Sequence, residues 1–229
     1  MTDAIKGISS MATRPLLAAL APLYEQQHGV AVRIESVGGV DAARRVRAGE
    51  AFDVVVLASD ALEQLLADGH VVAGSRTDIA NSGIAVAVRE GAAKPDLSSG
   101  RSVRAALLAA PSIGYSTGPS GIALLELFDG WGIADELRAR LVQASPGIPV
   151  ASLVASGEAA LGFQQLSELM GAPGIDVAGP LPPDIQIVTT FSAGICRAAT
   201  QPEAARALLR FMASSQSALH IARHGMTTA

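Results

Sequence analysis

Residues 30–66 read VAVRIESVGGVDAARRVRAGEAFDVVVLASDALEQLL, and the spacing of their apolar residues switches repeatedly between two periods. Val30, Val32 and Ile34 alternate as the residues of a strand do. Gly38-Gly39 then turns the chain into a helix around Asp41 to Arg47, and Asp53 to Leu57 is a β-branched run with the character of a buried strand. Asp60 and Glu63 read as a capping box ahead of Leu62 and Leu66. Upstream, Ala4 to Ile8 reads as another strand. Thr13 follows as the cap of a helix with Pro15 in its first turn, Leu16, Leu20, Leu23 and Tyr24 at helical spacing, and Gly29 at its end. Strand and helix alternating three times in about seventy residues predict a parallel sheet with helices on its faces.

The alternation resumes downstream. Ile84 to Val88 reads as a strand, Glu90 to Arg101 as a polar connection, Val103 to Ala110 as a helix and Ile113 to Tyr115 as a strand. A helix follows near Ser120 to Phe128, then one opened by Pro149 and stopped by Gly157, then a strand from Ala159 to Phe163. Gly171 to Pro183 is rich in glycine and proline and reads as a loop. Strands are expected at Ile185 to Thr189 and Phe191 to Cys196, and Thr200 with Glu203 reads as a second capping box before a helix carrying Leu208, Leu209 and Met212. The predicted fold class is α/β with two lobes, each a mostly parallel sheet flanked by helices. Residues 1–82 with 192–229 form one lobe and 83–191 the other, and a ligand cleft is expected between them.

The 229 residues carry 17 Lys plus Arg against 21 Asp plus Glu, a net charge of −4, with 3% aromatic residues and no basic run. That composition argues against a nucleic-acid partner. Apolar runs are broken well before about 18 residues, which argues against membrane insertion. Met1 to Ser10 lacks the charged, apolar and small-residue regions of a secretory leader, so the chain as written reads as cytoplasmic, and as periplasmic if a leader has been trimmed. An ABC transporter permease is a partner only if the natural precursor is secreted. The single cysteine, Cys196, reads as a buried thiol.

No G-x-G-x-x-G or phosphate-loop motif is present, so no cofactor is expected; His220 and His224 lack the pattern of a metal pair, so no metal is expected. What recurs is a small hydroxyl or glycine segment between a strand end and a helix start: Ser9-Ser10, Ser36 with Gly38-Gly39, Ser59, and Ser116 through Ser120 and Gly121. Free helix N–H groups and the positive end of the helix dipole gather at such places, which suits a small-molecule anion.

These residues resemble a family. Ser9-Ser10-Met11, Gly38-Gly39, Arg47 through Val55, Asn81, Pro119-Ser120-Gly121 and Gly157 through Phe163 follow, in order and over nearly the whole chain, the pattern of molybdate-binding-like type II periplasmic binding proteins. The resemblance implies that family's two-lobed fold and an oxyanion held at Ser9 or Ser10, Gly39, Ser120, and Phe163 or Gln164. Two departures remove hydroxyl donors: Gly38-Gly39 replaces a serine-bearing turn, and Phe163-Gln164 stands where a Val-Tyr pair is expected. Gly162 through Leu169, with Phe191 through Gly194, is similar to the branch that contains aconitate isomerase, in which Gln164 and Gln165 would donate to planar carboxylates. The expected function is binding of a small organic anion, a di- or tricarboxylate ahead of molybdate. The alternative is cofactor-free cis/trans isomerisation of an unsaturated carboxylate such as aconitate. Catalysis needs a titrating group, for which Glu168, Glu126 and Tyr115 are the candidates.

Overall fold

The computed structural model describes residues 4–229. Its strands are Ile5–Ser10 (β1), Val32–Val37 (β2), Val54–Ala58 (β3), Thr77–Arg89 (β4), Ile113–Tyr115 (β5), Leu141–Gln143 (β6), Leu161–Gln165 (β7), Ile175–Pro180 (β8), Val188–Ile195 (β9) and Thr227–Thr228 (β10). The helices are Arg14–His28 (α1), Gly39–Arg47 (α2), Ser59–Ala67 (α3), Gly100–Ala109 (α4), Pro119–Gly130 (α5), Ala134–Leu137 (α6), Val150–Ser156 (α7), Leu166–Leu169 (α8), Pro202–Met212 (α9) and Ala218–Arg223 (α10). The chain divides into two compact units, one running up to Ser82 and resuming at Thr190–Ala229, the other Gly83–Thr189.

In the first unit β1 lies between β2 and β3, all parallel, with Ser9 opposite Ser36 on one side and Val56 on the other. β9 runs antiparallel on β3, pairing Val56 with Ala193. β3 is buried at every residue, and its alternation divides them between two cores. Val54, Val56 and Ala58 pack with Leu16 and Leu20 of α1 and with Leu208 and Leu209 of α9. Val55 and Leu57 pack with Val46 of α2 and with Leu62 and Leu65 of α3. A strand apolar on both faces is what helices on both sides of a sheet require.

In the second unit the latter half of β4 pairs antiparallel with β7 and β8, while β7, β5 and β6 run parallel. Ile84, Val86 and Val88 face a core with Phe163, Leu107 and Phe128, and Ala85 and Ala87 face a smaller one with Ala151 and Leu169. At Gly162 an added Cβ would meet Val154 Cγ2 at 2.4 Å, so the absence of a side chain there lets α7 lie directly on β7.

Several sequence expectations are corrected. Ser9 and Ser10 belong to β1 itself, and β7 ends two residues later than expected. Thr13 stands at the α1 N-cap but makes no cap bond; its Oγ1 donates to the Ser10 carbonyl at 3.1 Å. Asp60 and Glu63 lie inside α3, whose N-cap is Ala58, and Glu63 pairs with Arg76. Residues 171–183 contain β8, since the zipper to β4 overrides the flanking glycines, and the two strands expected over 185–196 are the single β9. β6, α6, α10 and β10 lack a clear signal because they are two to six residues long.

The second capping box is also corrected, with a physical replacement. α9 has Gln201 at its N-cap with no side-chain cap bond, and the N–H groups leading into the helix are taken by the residue that precedes β3. The buried Asp53 takes the Thr200 N–H at 2.8 Å and the Gln201 N–H at 3.0 Å on Oδ1, and the Lys6 N–H at 2.9 Å on Oδ2. Asp53→Ala leaves three backbone donors without that acceptor. It is expected to lower the unfolding free energy by about 2–3 kcal/mol, read as a lower urea midpoint at unchanged slope.

Candidate functional site

In the first unit the ends of the parallel strands bring together the expected anion contacts. Ser9 Oγ lies 2.8 Å from Ser36 Oγ, tying the ends of β1 and β2. A Cβ placed on Gly39 would lie 3.7 Å from Ser10 Cβ, so the start of α2 abuts Ser10. α2 has Gly38 and α3 has Ala58 at the N-cap, residues with no side-chain acceptor, which leaves the first N–H groups of both helices without a side-chain cap. Ser59 opens α3 and is half-buried. Ser10 Oγ is buried without a hydrogen-bond partner among the described residues.

The second unit carries the ionisable group. β5 and β7 are parallel neighbours with Tyr115 opposite Phe163, so their carboxyl ends deliver Ser116 and Gln164 to one edge of the sheet. Ser116 Oγ accepts the Gly118 N–H at 3.3 Å and lies 3.0 Å from the Oγ of Ser120, which is buried in the first turn of α5. Gln164 is 3% exposed. Its Oε1 accepts the Val150 N–H at the start of α7 at 2.9 Å, and its Nε2 donates to Glu168 Oε2 at 2.7 Å. Burial pushes the Glu168 carboxyl up from 4.5 to about 7, while the bond from Gln164 pulls the other way. Gln165 Nε2 donates to Thr189 Oγ1 at 2.8 Å, and its Oε1 is buried with no partner among the described residues.

The three titrating candidates separate. Glu126 lies on the exposed side of α5. Tyr115 is half-buried and packs against the core of its unit, and Glu168 is the carboxyl that an amide holds and burial raises. Phe163 is corrected: at 1% exposure its ring is enclosed by the core it shares with Ile113 and Phe128, because odd positions of β7 face that core. Gln164 has its Oε1 and one of its two Nε2 hydrogens engaged within the unit. Gly121 acts through its missing side chain, as argued below. Thr189 and the Val150 N–H went unrecognised in the sequence. Pro149 at a helix start was the available pointer to the latter.

The sign of the Glu168 effect on stability follows from its direction. Between pH 4.5 and about 7 the folded protein holds a proton that the unfolded chain has released, so unfolding free energy falls as pH rises through that window. The fall is expected to be on the order of 1–3 kcal/mol and to be missing in Glu168→Gln, checked by urea unfolding at pH 5 and pH 7.5.

The first unit thus offers a parallel sheet ending in uncapped helix starts, and the second a buried amide paired with an elevated carboxyl beyond a strand end. The chain belongs to the family described as bacterial extracellular solute-binding protein, which it matches over residues 5–227. It is 38% identical over 224 residues to an aconitate isomerase from a Pseudomonas species, covering 96% of this chain and 86% of that protein. Among solved structures, the periplasmic molybdate-binding protein of Azotobacter vinelandii superposes with a TM-score of 0.82 at 24% identity, over 98% of this chain and 99% of that one. A tungstate ABC transporter structure from Geobacter sulfurreducens gives 0.77 at 17% identity, over 96% and 98%. These two likenesses establish the periplasmic-binding-protein fold. No helix among the described residues is long and apolar enough to cross a membrane.

Proposed function

We propose that this protein interconverts the cis and trans forms of an unsaturated tricarboxylate such as aconitate without a cofactor, and that Glu168 moves the proton. The observation that carries the reading is the Glu168 carboxyl, half-buried, fixed by Gln164 and held near 7, where it is ready both to accept and to return a proton at neutral pH. The Glu168 carboxylate takes a proton from the carbon next to the carboxylate-bearing double bond. The electron pair left behind spreads over the three allylic carbons and their carboxylates. The double bond shifts or rotates, and the same proton, or one exchanged with water, returns from the carboxylic acid to carbon, so that substrate and product differ only in geometry. The 38% identity to an aconitate isomerase over 96% of the chain supports this substrate class. The two missing hydroxyl donors, at Gly39 and Gln164, weigh against a tetrahedral oxyanion.

A second reading, binding and release alone, is favoured by the family description and by the uncapped starts of α2 and α3. In either reading the extracellular description of the family favours an exported protein over the cytoplasmic location inferred from residues 1–10. The test is incubation of cis-aconitate with the protein in deuterated water at pH 7. Trans-aconitate carrying deuterium is the expected product, and neither product nor label removes the isomerase. A thermal-shift panel then separates the remaining outcomes. At 100 times its dissociation constant, cis-aconitate is expected to add about 2.7 kcal/mol of stability, exceeding the effect of molybdate or sulfate. A shift without turnover leaves the binding reading standing.

A further inference from the structure

We propose that the two adjacent glutamines at the end of β7 divide the work of the site: Gln164 is the positioning residue for the Glu168 carboxylate, and Gln165 contacts the bound carboxylate substrate. The proposal rests on the isomerase reading and deepens it by separating two residues that the sequence treats alike.

The argument starts from which ends of each amide are taken. The Val150 N–H can only donate, so the Gln164 atom 2.9 Å away is its acceptor, Oε1. That contact turns the NH₂ end of the amide toward Glu168 Oε2, 2.7 Å away. The backbone at the start of α7 therefore sets the orientation of a side chain that in turn holds the carboxylate. With Oε2 anchored, Oε1 of Glu168 is the oxygen left for proton transfer.

Few other groups compete for control of that proton. α7 and β7, which pack against α8, carry no ionisable side chain, and α8 carries none besides Glu168. Burial and the Gln164 amide are what remain, and they oppose each other. Without the amide donor the carboxyl would be held still more firmly in its protonated form, and a base that is always protonated cannot start the reaction.

Gln165 differs at each of these points. It is 2% exposed, one end of its amide meets the Thr189 hydroxyl, and the other is buried without a partner among the described residues. A threonine hydroxyl both donates and accepts, so this amide can turn over and leave either its N–H or its C=O as the end without a protein partner. A carboxylate takes the N–H and a protonated carboxyl takes the C=O, so the same side chain serves a tricarboxylate in either state. A buried amide end left open is costly unless a ligand fills its hydrogen bond.

The experiment uses the full chain with Gln164→Glu, Gln164→Met and Gln165→Met. The Glu168 carboxyl is followed by ¹³C titration and assigned by its loss in Glu168→Gln, and turnover of cis-aconitate is measured across pH. Gln164→Glu keeps the shape and the acceptor for Val150 but sets a second carboxyl beside Glu168. The uncharged Gln164→Met is therefore the variant that separates loss of the donor from like-charge repulsion, and retention of a cooperative urea transition shows it folded. Both Gln164 variants are expected to move the Glu168 midpoint from about 7 to above about 8, and the acid limb of kcat with it. Gln165→Met is expected to leave that midpoint in place and to raise KM about tenfold or more. An unmoved midpoint in both Gln164 variants overturns the positioning role. A Gln165→Met variant with unchanged KM, or with a displaced Glu168 midpoint, overturns the division of labour. If the wild-type chain shows no turnover, the isomerase reading falls on its own. The titrations still decide the role of Gln164, and the dissociation constant for cis-aconitate replaces KM for Gln165.

Discussion

Gly121→Ala is expected to lower the unfolding free energy by about 4 kcal/mol or more, enough to leave much of the protein insoluble on expression. The Cβ it adds would lie 1.8 Å from the Ser116 carbonyl oxygen and 2.8 Å from the Ser116 carbonyl carbon, atoms of the backbone that no rotamer change can move aside. The first turn of α5 rides against the chain leaving β5, and the Gly121 N–H bonds back to the Gly118 carbonyl at 3.0 Å, so the loop and the helix have nowhere to separate without losing the turn. The measurement is urea unfolding of whatever soluble fraction is obtained. Gly130→Ala, at the other end of the same helix where an added Cβ meets nothing within 4 Å, is the control and is expected to stay within about 1 kcal/mol of wild type. Equal losses in the two variants would show that the close approach at Ser116 is not what requires glycine.

Glu168→Gln is expected to reduce the turnover of cis-aconitate by about 10²–10⁴-fold while the protein stays folded. Glutamine has the same shape, and its Oε1 can accept the Gln164 N–H that now meets the carboxylate at 2.7 Å. What it lacks is the ability to take a proton. Calorimetric binding of cis-aconitate is expected to persist in the variant, because removing the charge on Glu168 removes a like charge from the surroundings of an anionic substrate. Turnover within a few-fold of wild type would take the proton transfer away from Glu168 and return the question to the remaining groups of the second unit.

Much of the frame was legible. The stretch from Val30 to Leu66 announces its strands and helices because β3 carries apolar residues on both faces and the glycines at 38 and 39 break the pattern where α2 begins. The second capping box was illusory for a tertiary reason: Asp53, remote in sequence from α9, takes the Thr200 N–H that the Glu203 side chain of the local pattern would have accepted. β8 was hidden by Gly171, Gly174 and Gly179, since propensity says nothing of a long antiparallel partner such as β4. In the site, hydroxyls and glycines at strand ends could be read from spacing alone. The distinction between Glu168 and Glu126 could not, because it depends on which carboxyl is stripped of water and which amide meets it. Neighbouring Gln164 and Gln165 look alike in the sequence, and only the N–H at the start of α7 tells them apart.

The first unit needs the chain after Thr190, whereas the second is one uninterrupted segment. A polypeptide emerging amino end first therefore presents all of residues 83–189 before the strand that covers β3 has been made or threaded. Until Phe191 to Ile195 arrive, the edge Val54-Val55-Val56-Leu57 is bare, apolar and free of charge, the profile of a segment that recruits copies of itself. Yield of the whole molecule should then depend on how long that edge waits.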